Sequence, residues 1–437
     1  MRAIRAKNSD TVIQYNPPRK EVILMNTIDE KFIESLYQDL TPVTRNRVDD
    51  TVSKIVKIKE KGQKVVVMMG SGPNIHEGVT TLVSELIKKH IIDGVITSSA
   101  VIAHEMAGSL DRVKRVNGIE LGINSGILPR GDIFEITLMD EDTLKKIQEE
   151  MIIDNELIKK ALTMPGNSII KAAGNMAYPM GLRTEKLAVE VELISKITGK
   201  PFEYIAGLGA DNRTMIGAGA QNNVPVIVSV PQLVGGGMVG LCIADSIPIK
   251  ERSKALADLL ESATLIIESA VALTQEIHDG PFETYTGHGI WSAWTGIKTY
   301  SLKNKSIVRI DLDPNLEKAW EAEKKDRAVQ EAVDRGLPKT KMLKVPFRME
   351  MSGFARLEDS IPVVGDIGVI WPIIALKVSK ALNVQLDFIS YPQESEPGKE
   401  MREWIVKEVK ILDRNLMIEK ATGGKTYAAE ISKLIET

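Results

Sequence analysis

Apolar positions along this chain follow two rhythms. Short β-branched runs each predict a buried strand: VVVMM (65–69), IIDGVIT (91–97), VPVIVSV (224–230), TLIIES (264–269) and IPVVG (361–365). FEYIAGLG (202–209), ending in glycines, and VQLDFI (384–389) read the same way, and EVILM (21–25) is one further candidate. Between the runs the apolar period lengthens to that of a helix. Residues 45–62 carry Val48, Val52, Ile55, Val56 and Ile58 and stop at Gly62. From Asn74 a second helix buries Val79, Leu82, Val83, Leu86 and Ile87, with Asn74 as cap and Glu77 reaching back in a capping box. Ser98 and Ser99 open the next helix. Segments 144–151, 154–162, 183–198, 250–262 and 270–277 are helical, and Asp211 caps a helix that has Thr214 in its first turn. A charged helix runs from Pro314 to Arg335 behind Asp313 and ends at Gly336. Asp366 caps DIGVIWPIIALKVSKAL, and 400–437 supply one or two more helices.

Strand-then-helix units therefore recur, and their strands are apolar throughout rather than alternating. That pattern predicts an α/β fold: a doubly wound, mostly parallel sheet with helices on both faces. Ligands of such sheets sit outside the carboxyl ends of the strands. The residues expected there are GSGPN, TSSA, GLGAD, LVGGG, TGHG and VVGDIG. The chain divides into an N-terminal extension (1–44), a main body (45–298) with an excursion of loops and short strands at about 111–140, a charged helical insertion (299–350), and a return to the sheet with C-terminal helices (351–437).

Composition narrows the function classes. At 437 residues, with 43% hydrophobic and 26% charged residues, the chain is that of an ordinary globular protein. A net charge of −3 gives no electrostatic footprint for nucleic acid. The single Cys242 excludes an internal disulfide framework, and no basic stretch followed by an apolar one opens the chain. A reducing, cytoplasmic setting is expected. Residues 214–244 carry no charge and are long enough to span a bilayer. Pro225, Pro231, Gly235, Gly236, Gly237 and Gly240 break that stretch into a buried strand and a glycine loop, so no membrane segment is expected.

The candidate chemistry starts at the loop Gly70-Ser71-Gly72-Pro73, which puts glycines and helix N–H groups at the carboxyl end of a strand, where a phosphate is stabilised. Read strictly, the loop fails the dinucleotide fingerprint. Ile75 stands where the third glycine belongs, and the second strand ends in Thr97-Ser98-Ser99 without a carboxylate, which argues against the usual Rossmann geometry. There is no Walker lysine, zinc-spaced Cys/His set or G-x-S-x-G elbow. Of five histidines, His90 ends a helix and is structural. His76 either contacts a cofactor phosphate or is an exposed first-turn residue. His104 beside Glu105 suits acid–base work near neutral pH, or is a polar pair on a helix face. His288 lies between Gly287 and Gly289, which permit close approach to a ligand. Lys298 is either catalytic or solvated, and Asp211 and Asn212 are either substrate contacts or caps.

Several segments together resemble deoxyhypusine synthase and its NAD-binding relatives. GVTTLVSELIKKHIIDGVITSSAVIAHE is similar to that family's helix, strand and following loop, NNVPVIVSV to its Asn-Asn-Ile-Pro-Val strand, and IPVVGDIGVIWPIIALKVSKAL to its last strand and helix, while TLIIESAV occupies its glycine-rich strand. The resemblance implies a Rossmann variant and NAD as cofactor, held by Gly72, Pro73, Asn74, Ile75, His76, Ser98, Ser99, Ala100, His104, Gly287, His288 and Asp366. It also implies a homodimer or homotetramer. The departures are as informative. Gly235-Gly236-Gly237-Met238-Val239-Gly240 stands where the family holds a polyamine with two carboxylates, and Met351-Ser352-Gly353-Phe354-Ala355-Arg356 has no lysine where the family's catalytic one sits. Different chemistry is therefore expected: hydride abstraction to an imine on a small nitrogen-containing metabolite, less cationic than a polyamine. His104, Glu105, His288 and Lys298 are the catalytic candidates. Asp211, Arg213, Gly236 and Gly237 are the substrate contacts, Arg213 pairing with a carboxylate. Two alternatives stay open: a non-redox lyase or hydrolase with a metal between His76, His104 and Asp366, and a nucleotide-binding protein without catalysis.

Overall fold

The computed structural model describes residues 28–70, 72–270, 277–278, 280–338, 344 and 357–423. The EVILM strand, most of the 270–277 helix and the Met351–Arg356 segment lie outside the described residues.

Six strands form the main sheet: β1 (Val65–Met69), β2 (Gly94–Thr97), β6 (Val226–Val228), β7 (Leu265–Ser269), β8 (Ser306–Asp311) and β9 (Ser360–Val364). All neighbours are parallel, in the order β6-β2-β1-β7-β8-β9. Counted along the chain, that order is 3-2-1-4-5-6, which is the order of doubly wound dinucleotide-binding sheets, with its topological switch point between β1 and β7. The sheet thus keeps the Rossmann arrangement that the loop sequence argued against.

Every residue of β1 is buried because both faces of the sheet are covered. Val65, Val67 and Met69 join a core with Ile55, Leu82 and Ile370, while Val66 and Met68 join another with Leu256, Leu260 and Tyr300. A second, antiparallel sheet of order β4-β3-β5 is made by β3 (Leu110–Asn117), β4 (Ile133–Thr137) and β5 (Asn167–Ala172). β3 and β4 are the short strands of the excursion expected at about 111–140, and β5 completes their sheet. The helix Glu396–Glu408 packs on β3 and β5 and ties this sheet to the carboxyl edge of the main one.

Four expectations are corrected. FEYIAGLG is a helix, Phe202–Gly209. Other helices pack closely on it and leave only Tyr204 exposed: a Cβ on Gly207 would lie 2.3 Å from the Ile216 carbonyl oxygen, and one on Gly209 would lie 2.4 Å from that of Asp413. VQLDFI forms no strand; its Asp387 N–H donates to Glu85 Oε1 at 2.8 Å. The region 299–350 is not wholly a helical insertion, since Ser306–Asp311 is β8, inside the sheet. The charged helix after Asp313 is two, Asn315–Lys325 and Ala328–Asp334, broken at Arg327 with φ 49°. Among the described residues, no helix is long and apolar enough to cross a membrane.

Candidate functional site

The switch point is locked by one side chain. Asn74, in the short helix Pro73–His76, donates from Nδ2 to the Gly70 carbonyl at 3.2 Å and accepts from Ser269 Oγ at 2.7 Å. Ser269 ends β7 and in turn accepts the Trp371 indole N–H at 2.9 Å. Asn74 is therefore neither a helix cap nor half of a capping box; Gly72 takes the cap position at φ 69°. Gly78, at φ 68°, interrupts the helix, which resumes as Val79–Lys88. Ile75 is buried in the core, while Gly72 and Pro73 remain at the mouth.

Four cationic or imidazole side chains meet beside this crevice. His104 lies in the helix Ser99–Met106 that follows β2, and its Nδ1 stands 2.7 Å from the Ala173 carbonyl oxygen. An oxygen there requires a donor, so Nδ1 carries the proton and the neutral ring keeps its lone pair on Nε2. Burial pushes the His104 pKa down and Lys171 adds to this, against the opposing Ala173 hydrogen bond. His76 has the reverse tautomer: Arg402 Nη2 approaches its Nδ1 at 3.4 Å, so the proton sits on Nε2. Its pKa is lowered by burial, then by Arg402, His104 and Lys171. Arg402 is fixed by a 2.6 Å bond to the Ile170 carbonyl of β5, and Lys171, the next residue, by Glu135 Oε2 at 2.7 Å. Burial first, with Lys171 beside both rings and Arg402 beside His76, favours two neutral imidazoles, one offering a lone pair and the other a proton.

An acidic group closes the other side. Asp366 caps the helix Ile367–Ala381 as expected, accepting the Gly368 N–H at 2.7 Å. Glu77 converges on the same helix end, because a Cβ on Gly368 would fall 2.3 Å from Glu77 Oε2. Burial pushes the Glu77 pKa up to about 7; the Gln393 N–H opposes this, and Asp366 and Glu394 add to it.

The remaining candidates disperse. Glu105 points away from His104 and accepts the Met215 and Ile216 N–H groups at 2.8 and 3.0 Å, at the start of the helix Met215–Asn222. Ser98 caps its own helix. Ser99 Oγ donates to the Gln232 and Leu233 carbonyls and accepts the Gly236 N–H at 2.8 Å, stitching the glycine loop to β2. Ala100 is half-buried beside it. Gly237, at φ 60°, turns that loop into the helix Met238–Ser246. Asp211 is not the helix cap, a position held by Thr214; it binds the N–H groups of Arg213 and Lys410, both at 2.9 Å. Arg213 is engaged by the Glu408 carbonyl and lies 5.5 Å from the Trp404 ring. Both therefore fasten the C-terminal helix rather than face the crevice.

Gly287 and His288 belong to a segment that covers the opposite face of the sheet, where His288 is exposed. Lys298 is exposed and bound to Asp258 at 2.6 Å and Glu261 at 2.8 Å, in the last turns of the helix that leads into the amino end of β7. That is the edge away from the crevice. Among the described residues, no group of three or more His, Cys, Asp or Glu side chains is arranged to hold a metal ion, and His76, His104 and Asp366 form no such group. Sequence reasoning missed Lys171, Arg402 and Glu77 as site residues. The one local signal was a lone cation before the glycine turn in KAAG.

No protein-family model matches the sequence, and no curated protein does either. Solved structures with a similar fold include ArgZ, an arginine dihydrolase from cyanobacteria, at 12% identity, 78% of this chain, 32% of that one and a TM-score of 0.37. They also include the ternary complex of AgrE with ornithine and NAD+, at 13% identity, 82% of this chain, 35% of that one and a TM-score of 0.37. A third is a putative deoxyhypusine synthase from Entamoeba histolytica, at 12% identity, 82% of this chain, 95% of that one and a TM-score of 0.39. This chain spans about a third of the length of the first two. At such identities and TM-scores, these likenesses assign no function to it.

Proposed function

We propose that the chain is an NAD-dependent enzyme acting on a small nitrogen-bearing metabolite, an amine or amino acid, with His104 as proton acceptor. The observation that carries the reading is His104 itself: a neutral imidazole with its lone pair on Nε2, at the carboxyl edge of a sheet with dinucleotide-fold strand order. The residues at the switch point fit a dinucleotide. Gly72 leaves open space where a Cβ would stand, and Asp366 offers a carboxylate at the carboxyl end of β9. Gly72, Pro73, Ser98, Ala100 and Asp366 are the residues that would hold the cofactor, with Asn74, Ile75 and Ser99 shaping the walls. Bound NAD would supply the hydride acceptor. His104 Nε2 takes the proton released as the substrate C–N bond becomes an imine, and His76 Nε2–H donates a hydrogen bond. Burial, with Lys171 beside both rings and Arg402 beside His76, favours the neutral form of each. The assembly expected from the family resemblance is a homodimer or homotetramer.

The test is NAD titration of the full chain by thermal shift and calorimetry, followed by absorbance at 340 nm with candidate amines and amino acids. At a hundredfold excess over Kd, a single site stabilises by about 2.7 kcal/mol. The absence of both a thermal shift with NAD or NADP and any absorbance change would overturn the reading.

A further inference from the structure

We propose that Arg402 recognises a carboxylate on the substrate, so that the substrate is an amino acid and not a simple amine. The proposal rests on the reading of this crevice as the substrate site. Arg402 projects from the helix Glu396–Glu408 beside His76 and is half-buried. One nitrogen, Nη2, makes all its hydrogen bonds: it stands 2.6 Å from the Ile170 carbonyl oxygen and 3.4 Å from His76 Nδ1. Nε is enclosed and has no partner, and Nη1 donates to none of the described residues. Burial works against the charge, and Glu77, Glu403 and Glu394 support it only through space, without a hydrogen bond. Glu403 is itself taken by Arg112. Arg402 is a cation without an anion.

Elsewhere the fold does not leave such a charge alone. The fully buried Arg183, Arg252 and Arg309 meet Glu150, Glu203 and Glu268 respectively. A guanidinium withdrawn from water without a counter-charge is unfavourable, and an anionic ligand supplies what is missing. The size of the open charge selects the anion. Lys171 already has Glu135 at 2.7 Å, and burial favours both imidazoles neutral, so one positive charge is left to match. A single planar guanidinium suits a carboxylate, a monoanion, better than a phosphate dianion. The placement agrees. Arg402 and His104 are both close enough to His76 to act on its charge, and an α-amino acid carries its carboxylate and its nitrogen on one carbon. A simple amine would instead bring a second cation beside Arg402. Arg402 thus takes the part that the sequence suggested for Arg213, which is held away from the crevice by Glu408 of the same helix.

The test is binding, with and without NAD, to the full chain labelled with 15N-arginine; Arg402→Lys assigns the Arg402 Nε–H signal. The probes are acetate, inorganic phosphate, the standard L-amino acids and the amines left when those lose their carboxyl group. The Arg402 signal should move with acetate and with at least one amino acid, and that amino acid should bind at least about tenfold more tightly than its amine. By calorimetry, Arg402→Gln should weaken it by about ten- to a hundredfold, the loss of a charge-assisted pair, and Arg402→Lys by less. NAD affinity should stay within about twofold in both. The native titration keeps the proposal open to refutation even if a variant folds poorly. No response of Arg402 to any carboxylate, equal binding of amino acid and amine, or tighter binding of phosphate than of acetate would overturn it. So would a tenfold loss of NAD affinity in Arg402→Gln, which would make Arg402 a cofactor contact. Failure of the native chain to bind NAD would remove the redox reading alone, because the acetate and amino-acid titrations are read without cofactor as well.

Discussion

Two regions of this chain are rich in candidate chemistry, and only one brings its side chains together. The segment 281–298 packs a histidine, two tryptophans, three glycines and a lysine into one short stretch, yet it spreads them over the outer face of the sheet. Trp291 and Trp294 are 76% and 84% exposed, and Lys298 turns to the amino edge. Beside the switch point, by contrast, His76, His104, Lys171 and Arg402 come from four distant places in the chain and act on one another. Residues of the right type close together in sequence make a rich stretch. A site needs elements that meet in space, here two sheets and a C-terminal helix, to set tautomers and charges.

The hardest test of that contrast is to disable one histidine from each region. H104N keeps a donor near the position of Nδ1 and removes the Nε2 base. It should lower turnover by about 10²–10⁴, the range of a lost general base, with little change in melting temperature. His288→Asn should change turnover by no more than about twofold, as expected for an exposed side chain outside the cluster. Steady-state kinetics on the identified substrate would settle it, and the reverse result would move the chemistry to the outer face.

A sharper version uses two neighbours on one helix. His104 faces the cluster, while Glu105 is fully buried and caps another helix through two N–H groups. Glu105→Ala leaves two buried donors unsatisfied and opens a cavity, and should cost about 2–4 kcal/mol in a denaturant unfolding experiment. If Glu105→Ala were stable but inactive, the carboxylate would be catalytic and the division between the two faces would fail.

The crevice side also carries a pH signature. Burial pushes Glu77, Glu105 and Asp111 each up to about 7. A carboxyl whose folded pKa is raised binds more protons folded than unfolded. Its contribution is complete below about pH 4 and is lost as pH rises through about 7. Other carboxylates work oppositely. Asp49, where Lys377 and Tyr37 hydrogen bonds overcome partial burial, and Asp140, where Thr143 does so, are held below their usual range. Their stabilisation disappears only as pH falls below about 4. Melting temperature should therefore peak near about pH 5 and decline by several degrees towards about pH 8. E77Q should flatten that decline; an unchanged slope in E77Q would mean that Glu77 titrates at its ordinary value.

How much of this was legible follows from what each residue meets. β1, β2, β6, β7 and β9 read correctly because strands covered on both faces need continuous β-branched runs. β8 did not, because Arg309 and Asp311 interrupt SIVRID, and Arg309 is buried in an ion pair with Glu268 on the neighbouring strand. Phe202–Gly209 misread as a strand for the mirror-image reason: a helix buried or half-buried everywhere but at Tyr204 carries no charged stripe. In the site, His76 and His104 stood out because they border strand-end loops. Lys171 and Arg402 gave no local sign, since their meaning comes from the second sheet and the Glu396–Glu408 helix closing on the crevice. Asp366 was legible through its strand-Gly-Asp-helix setting, but its companion Glu77 read as a capping residue. The glycine loop announced a ligand edge without revealing that Asn74 is spent on holding it open.

The smallest expected effect is the most discriminating for the outer face. A catalytic lysine that attacks a carbonyl or takes a proton must be unprotonated at working pH, which buried or cation-flanked lysines achieve by a lowered pKa. Lys298 has the opposite setting. Hydrogen bonds that the ammonium donates to Asp258 and Glu261 push its pKa above the usual lysine range and keep it charged. Exposed ion pairs of this kind contribute little and are screened by salt. Lys298→Ala should therefore leave NAD affinity and turnover within about twofold and shift the melting temperature by no more than about 2 °C. Calorimetric NAD titration and steady-state kinetics are the measurements. A tenfold loss in either would mean that the outer segment reaches the chemistry, as it would if a second copy of the chain carried Lys298 into the crevice of the first.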